Sequence, residues 1–267
     1  MNNYPSDLTD THWQLIEKMF DAQERSRKRK HSLRTVLNAI WYVVKGGIQW
    51  RMLPKDFPKW QTIYWYYQKW RKNGFWALLH DTLSKLVRRK VGKQDSPSVG
   101  IFDSQSVKTT ATVGQRGYDA AKCVKGRKRH IVVDTLGLIL AVIVHRADTD
   151  ERRGAKFLLR RLAHHAFQFR RLQVFFADEG YSGDKMKEWV RRTFRHLGWT
   201  LQTVAAPLSR KSIQKKFEVL PKRWIVERTF GWFNNYRRLD KDYEYYPKNS
   251  ETIIQLAMIQ LMLNKLT

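Results

Sequence analysis

Two hydrophobic periods divide this chain, and each admits a different set of folds. Through residue 92 the apolar side chains recur every three to four positions. Trp13, Ile16, Met19 and Phe20 form one such face. Leu33, Val36, Leu37, Ile40, Trp41 and Val44 form a second, and Trp60, Ile63, Tyr64, Tyr67 and Trp70 a third. That spacing is helical. Thr9 and Ser32 stand where N-caps belong, and Gly46-Gly47 and Gly74 where helices stop. A fourth helix is expected over 75–91. The polar residues 93–98 read as a linker. Beyond them the apolar residues come in short β-branched runs. Residues 99–102, 130–133, 138–144, 172–176 and 200–205 read as strands. Residues 151–166, 185–197, 221–238 and 252–266 read as helices. The order is β-β-β-α-β-α-β-α, with a hairpin turn at Asp134-Thr135-Leu136-Gly137. It implies an α/β fold over 99–267, a mixed central sheet with helices on both faces, preceded by an all-helical domain over 1–92.

Charge narrows the partner. Lys and Arg total 51 against 24 acidic residues, a net charge of +27. A surplus spread this widely calls for a polyanion, nucleic acid before an anionic membrane. In 1–92 two helices around a Gly/Pro turn, with Lys69, Arg71 and Lys72 on a polar face, suggest a helix-turn-helix-like DNA-binding domain. The aromatic stripes there read as core. The basic connector Arg25, Arg27, Lys28, Arg29 and Lys30 joins the first two helices. The single cysteine, Cys123, excludes an internal disulfide and fits a reducing compartment. The polar start and the short apolar runs give no signal peptide and no membrane span, so a cytoplasmic, nucleoid-associated protein is expected.

The candidate chemistry lies in three carboxylates. Asp103 ends the first expected strand and Asp178 the fourth. Ligands of open α/β sheets gather beyond the carboxyl ends of strands, so neighbouring strands would bring the two aspartates to one point. Glu227 lies in the helical pattern of 221–238, with Arg223, Gly231, Asn234 and Arg238 on its face. Three hard oxygen donors suit Mg²⁺ or Mn²⁺, and two such ions can serve phosphodiester chemistry. Each residue alone has a plainer reading: a turn or cap aspartate, or a glutamate paired with Arg223 or Arg228. Lys122, Lys125, Arg127 and Lys128, with Arg129, form a basic run suited to phosphate contact or to a solvated face. Arg223, Arg228, Asn234, Arg237 and Arg238 are further DNA-contact candidates. Asp134 reads as a turn residue, Asp119 as solvent-facing, and His130 and His145 as surface or phosphate-facing groups.

Five blocks then occur in order. They are Trp50-Arg51-Met52-Leu53-Pro54-Lys55-Asp56-Phe57-Pro58-Lys59-Trp60, Asp103-Ser104-Gln105-Ser106-Val107-Lys108, Gly126-Arg127-Lys128-Arg129-His130-Ile131-Val132-Val133-Asp134-Thr135, Ala177-Asp178-Glu179-Gly180-Tyr181, and Val226-Glu227-Arg228-Thr229-Phe230. The last is followed by Tyr236-Arg237-Arg238-Leu239 and Asp242-Tyr243-Glu244. Together they resemble a bacterial insertion-sequence transposase of the DDE class, in the family numbered five. Leu220 and Asn234 stand where the wider group carries tyrosine and lysine. The resemblance implies an RNase H-like catalytic domain in which Asp103, Asp178 and Glu227 bind two metal ions. It also implies cleavage at terminal inverted repeats and transfer of the cut ends into target DNA. Handling two ends together implies a homodimer on double-stranded DNA, for which the apolar helix over 252–266 is either an interface or part of its own core. Two other readings stay open: a domesticated, non-catalytic DNA-binding repressor, and a metal-dependent nuclease that cuts without joining.

Overall fold

The computed structural model describes residues 4–23, 30–111, 114–203 and 223–267. The basic connector up to Arg29, Leu220 and Pro221 lie outside them, as does the Arg223 side chain. The chain forms two compact units. One comprises Met1–Lys93, Phe233–Lys241 and Thr252–Thr267; the other comprises Gln94–Trp232 and Asp242–Glu251. The expected division placed everything after residue 98 together. Here Phe233–Lys241 and Thr252–Thr267 cluster with the N-terminal helices, while Asp242–Glu251 stays with the sheet.

The first unit is helical. It contains α1 (Asp10–Gln23), α2 (Leu33–Gly46), α3 (Trp60–Lys72) and α4 (Phe75–Lys90). The capping signals hold. The Thr9 hydroxyl accepts from His12 N–H at 3.1 Å, and that of Ser32 from Thr35 N–H at 3.0 Å. Gly47 ends α2 with φ 73°, a left-handed conformation that glycine adopts without a Cβ penalty. The stretch joining α2 to α3 runs from 47 to 59 and includes a 3-10 turn at Trp50–Met52. That is far longer than the three- or four-residue turn of a helix-turn-helix. Asn73-Gly74 instead joins α3 to α4 closely. The aromatic stripes are core: Trp41, Tyr67, Trp70 and Trp76 are buried. Phe20 meets the Trp70 and Phe75 rings edge-on, at 5.0 and 4.7 Å between centroids. Such pairs add about 0.5–1.5 kcal/mol each beyond area burial.

The second unit is built on a six-stranded mixed sheet: β1 (Val99–Lys108), β2 (Gly117–Asp119), β3 (Val124–Val133), β4 (Ile139–Arg146), β5 (Val174–Ala177) and β6 (Thr200–Thr203). The order is β2-β3-β1-β5-β6, with β4 also paired to β3. β3 runs antiparallel to β1, β2 and β4, while β5 lies parallel to β1 and β6 parallel to β5. The expected mixed sheet is therefore present, with β2 as an extra short strand and β1 and β3 longer than their apolar runs. α5 (Glu151–Ala163) and α6 (Asp184–Thr193) follow β4 and β5. Phe102, Leu158, Leu162, Phe175, Tyr181 and Trp199 share one core cluster. The architecture is that of an RNase H-like α/β domain.

The C-terminal elements are α7 (Arg223–Phe233), α8 (Arg237–Asp240) and α9 (Pro247–Leu266). A single helix over 221–238 is not formed. Asn234 and Asn235 make a turn, and Tyr236 is extended at φ −125°, ψ 104°. Asparagine side chains compete locally for backbone partners and favour such breaks. Asn234 and Arg238 therefore do not continue the helical face of Glu227. α9 starts earlier than its apolar pattern, with Pro247 in the first turn, where its missing N–H costs nothing. Ile253, Ile254, Leu256, Ile259 and Leu263 are buried. Within the first unit, Trp41 Nε1 donates to the Leu256 carbonyl at 3.1 Å. The apolar side of α9 is thus core of this chain. Among the described residues, no helix is long and apolar enough to cross a membrane.

Candidate active site

The β1–β5 ladder pairs Val99 with Val174, Gly100 with Phe175 and Ile101 with Phe176. Carried two residues past its last pair, that register would oppose Asp103 and Asp178, and both carboxylates act on the Tyr181 phenol. In-register residues of neighbouring strands project from one face, about 4.8 Å apart. Asp178 follows the last residue of β5 and opens the 3-10 turn Glu179–Tyr181 with an extended backbone, φ −73°, ψ 177°. Asp103 is not at a strand end, contrary to the apolar pattern. β1 continues to Lys108 because β3 pairs with it as far as Gly126. The Asp103 Oδ1 atom accepts from Ser104 N–H at 2.7 Å.

Below this pair lies Tyr181, 0% exposed. Burial, first, and then the nearby charges of Asp103, Glu151 and Asp178 hold its phenol well above the ordinary tyrosine range. The ring meets Phe102 edge-on at 5.0 Å. The neighbourhood identifies an acidic residue that sequence reasoning missed. Glu151 is the first residue of α5, after the N-cap Asp150, whose side chain accepts from Arg153 N–H. An acidic residue at a helix start is the ordinary response to the helix dipole, so nothing in the sequence set Glu151 apart. Its Oε1 accepts from Ser104 Oγ and from Lys122 Nζ, both at 3.3 Å. Its Oε2 and Asp178 Oδ1 each lie 3.2 Å from the point that a Cβ on Gly180 would occupy.

Glu227 sits on α7 with its side chain exposed. α7 is docked on the β3–β4 turn. Arg228 Nη2 donates to the Leu136 carbonyl and Thr229 Oγ1 to that of Gly137, both at 3.0 Å. Among the described residues, no group of three His, Cys, Asp or Glu side chains is close enough to hold one ion. Asp103, Asp178 and Glu151 thus all surround the Tyr181 phenol, and among the described residues Glu227 joins them in no group of three.

Several expected DNA contacts are spent inside the fold. Arg127, 0% exposed, donates to Asp242 Oδ1 at 3.1 Å, to the carbonyls of Gln115, Glu244 and Tyr245, and to Ser250 Oγ. The basic strand block thus closes on the Asp242-Tyr243-Glu244 block, a structural bond and not a phosphate contact. Lys128, 4% exposed, pairs with Asp119 Oδ2 at 3.1 Å. Asp119 is itself buried, contrary to expectation, and accepts from Ser106 Oγ at 2.6 Å. Arg129 is buried too. Arg238 is buried and donates to the Ile48 carbonyl at 2.8 Å. Arg228 lies over the Trp224 and Trp232 rings at 4.6 and 4.9 Å, which, with its bond to Leu136, holds it to the protein surface. Alternation along β3 fails as a guide because both faces of that strand are covered. Lys122, Lys125, Asn234 and Arg237 remain exposed. A cleft of about 400 Å³ at the starts of α5 and α6 adds Arg152, Arg153, Lys156 and Lys185, cations that sequence reasoning did not single out.

His130 is buried, and His145 is half-buried against it. His145 Nε2 lies 2.9 Å from His130 Nδ1, and His130 Nε2 lies 3.2 Å from the Glu151 carbonyl. Burial, then His145 and Lys128, holds the His130 imidazole well below the ordinary histidine range. Burial also lowers His145. Asp134 is the turn residue expected: its Oδ1 accepts from Leu136 and Leu138 N–H at 2.8 and 2.9 Å.

Comparison with known proteins agrees with this architecture. The family described as "Transposase DDE domain" matches residues 94–262, and that described as "Putative transposase of IS4/5 family" matches residues 8–80. The chain is also similar to a Burkholderia cepacia protein named "Putative transposase for insertion sequence element IS402". The two are 30% identical over 120 residues, covering 43% of this chain and 52% of the relative. The match thus spans about half of that relative's length.

Proposed function

This chain belongs to the IS4/5 family of DDE transposases, and from that premise we propose that it binds the terminal inverted repeats of its element, cleaves phosphodiester bonds there with two divalent cations, and joins the freed 3′ ends to target DNA. The observation that carries the reading is the register of β1 against β5. Continued past Ile101 and Phe176, it supports a placement of Asp103 near Asp178, two hard oxygen donors of the kind Mg²⁺ and Mn²⁺ take. Asp103 and Asp178 fit a divalent site. Glu227, exposed on α7, is the third carboxylate. A divalent cation bound there supplies charge neutralisation at the phosphate and a more acidic attacking water.

The chain's own residues do the rest by position, since in-line phosphoryl chemistry rewards geometry above all. On this reading β1 and β5 present the two carboxylates together. The nucleophile is water in cleavage and the element's 3′-hydroxyl in joining. The exposed Lys122 and Lys125, with Arg223, Asn234 and Arg237, contact DNA, and the cleft lined by Arg152, Arg153, Lys156 and Lys185 extends that basic path. Two copies act together, one at each element end.

The test uses full-length protein and an inverted-repeat DNA with Mg²⁺. Asp103→Asn and Asp178→Asn should each cut cleavage by more than the roughly 10–100-fold that loss of an outer partner costs a metal site. Binding to the repeat should persist, and its loss in these variants would sink the ligand assignment. Glu227→Gln, tested separately, should behave likewise. Cleavage without joining in the wild-type protein would favour the nuclease reading.

A further inference from the structure

Three contacts fix the start of α5. His130 Nε2 lies 3.2 Å from the Glu151 carbonyl, and Lys128 Nζ donates to that of Thr149 at 3.3 Å. Gly154 lies flat on the His130 ring, where a Cβ would come within 2.4 Å of Cε1. The Glu151 carboxylate is thereby held facing that of Asp178 across Gly180, whose missing Cβ keeps the space between them open. At the same place the buried Tyr181 hydroxyl makes no hydrogen bond. Ser104 is beside it, but the two do not reach normal hydrogen-bond geometry. A buried hydroxyl without a partner disfavours the folded state. Carboxylates sharing a site also disfavour each other's charge. A hydrated cation between them relieves both. On its other side Glu151 already carries a cation: Lys122 Nζ stands 3.3 Å and Lys128 Nζ 3.9 Å from Oε1.

We propose that Glu151 is a further carboxylate of the divalent-cation site of Asp103 and Asp178, and that Lys122 holds it aside until the cation binds. The inference rests on the reading of Asp103 and Asp178 as cation ligands. It explains why no three acidic side chains converge on one point among the described residues. Glu151 is drawn toward Lys122, which is about 40% exposed and also donates to the Ser104 carbonyl at 3.5 Å. Rotation of the Glu151 side chain exchanges the ammonium for the cation. Lys122 is then released beside the site with its charge available to a DNA phosphate. Cation binding and phosphate binding thus become coupled through one side chain, and no covalent step is involved.

Mn²⁺ binding to the full-length protein without DNA, followed by electron paramagnetic resonance, tests this directly. Glu151→Gln should weaken Mn²⁺ binding by at least about tenfold, the lower end of what supporting groups contribute to metal sites. Lys122→Met should strengthen it. Lys125→Met, the same charge change away from Glu151, should leave it unchanged. Unchanged affinity in Glu151→Gln or in Lys122→Met overturns the inference, as does an equal gain in Lys125→Met. If Glu151→Gln lacks a cooperative thermal transition, the two lysine variants decide. Asp103→Asn separates the two readings. Mn²⁺ binding that survives it overturns the underlying site assignment, whereas binding lost there but kept in Glu151→Gln overturns this inference alone.

Discussion

Arg127 brings a full charge into the interior and meets Asp242 there, with both side chains at 1% exposure or less. Desolvating two ions offsets much of their attraction, so the pair itself adds little net stability. Removing one partner is another matter, because it strands a buried charge. Arg127→Met should therefore destabilise the protein by about 3–5 kcal/mol in urea unfolding. An unchanged midpoint with weaker DNA binding would instead place Arg127 at the nucleic-acid surface. The His130–His145 pair gives a second residue-scale expectation. Both imidazoles are held below their ordinary range by burial, so the folded state favours the neutral forms. His12, lowered by burial as well, adds the same sign. Their contribution is fully present above about pH 6.5 and is lost as pH falls below it, where the unfolded chain binds more protons. Urea unfolding at pH 7 and at pH 5.5 measures this, and equal stabilities would contradict the buried pair.

At the scale of elements, the docking of α7 sets where Glu227 is presented. Thr229 is buried and donates to the Gly137 carbonyl in the β3–β4 turn. Thr229→Val keeps the shape and deletes that bond. The expected cost is about 1 kcal/mol or somewhat more, because the carbonyl loses its partner. Metal-dependent cleavage should fall further than stability does, if α7 must present Glu227 to the site. Cleavage at the wild-type rate in a protein destabilised by that amount would separate the helix from the chemistry. Much at this scale was legible in advance. The helical stripes of the first unit, the Ser32 cap, the Gly47 stop and the Asp134 turn are local, and the chain adjacent to each decides it. The β1 and β3 lengths were not legible, since polar residues such as Ser104, Ser106 and Lys128 extend those strands only when a partner strand and Asp119 are in place.

The whole molecule adds constraints that no element carries. A net charge of +27 predicts DNA affinity that falls steeply with salt, with a slope of about 0.9 per phosphate neutralised. Replacing Lys122 and Lys125 together should lower that slope by roughly two. A flat response would contradict a phosphate-dominated interface. The first unit draws on Phe233–Lys241 and Thr252–Thr267 as well as Met1–Lys93. Residues 1–92 expressed alone lose the α9 side chains that the first unit buries. That fragment should show no cooperative thermal transition, whereas a sharp transition would make α9 dispensable.

The sequence by itself determined the helical and α/β halves and the mixed sheet, and it pointed to a polyanionic partner and to the aspartates at 103 and 178. These follow from periodicity, net charge and the position of an acidic residue after an apolar run. Only the tertiary structure decided which charges are available. Arg127, Lys128 and Arg238 are consumed by buried partners far away in sequence, and the turn at Asn234-Asn235 removes Arg238 from the face of Glu227. The same packing brought in Glu151, whose place beside Asp178 depends on α5 returning across the sheet. Local pattern fixes which face of an element is apolar. Whether a charge meets water, a buried partner or a ligand is settled by what the rest of the chain packs against it.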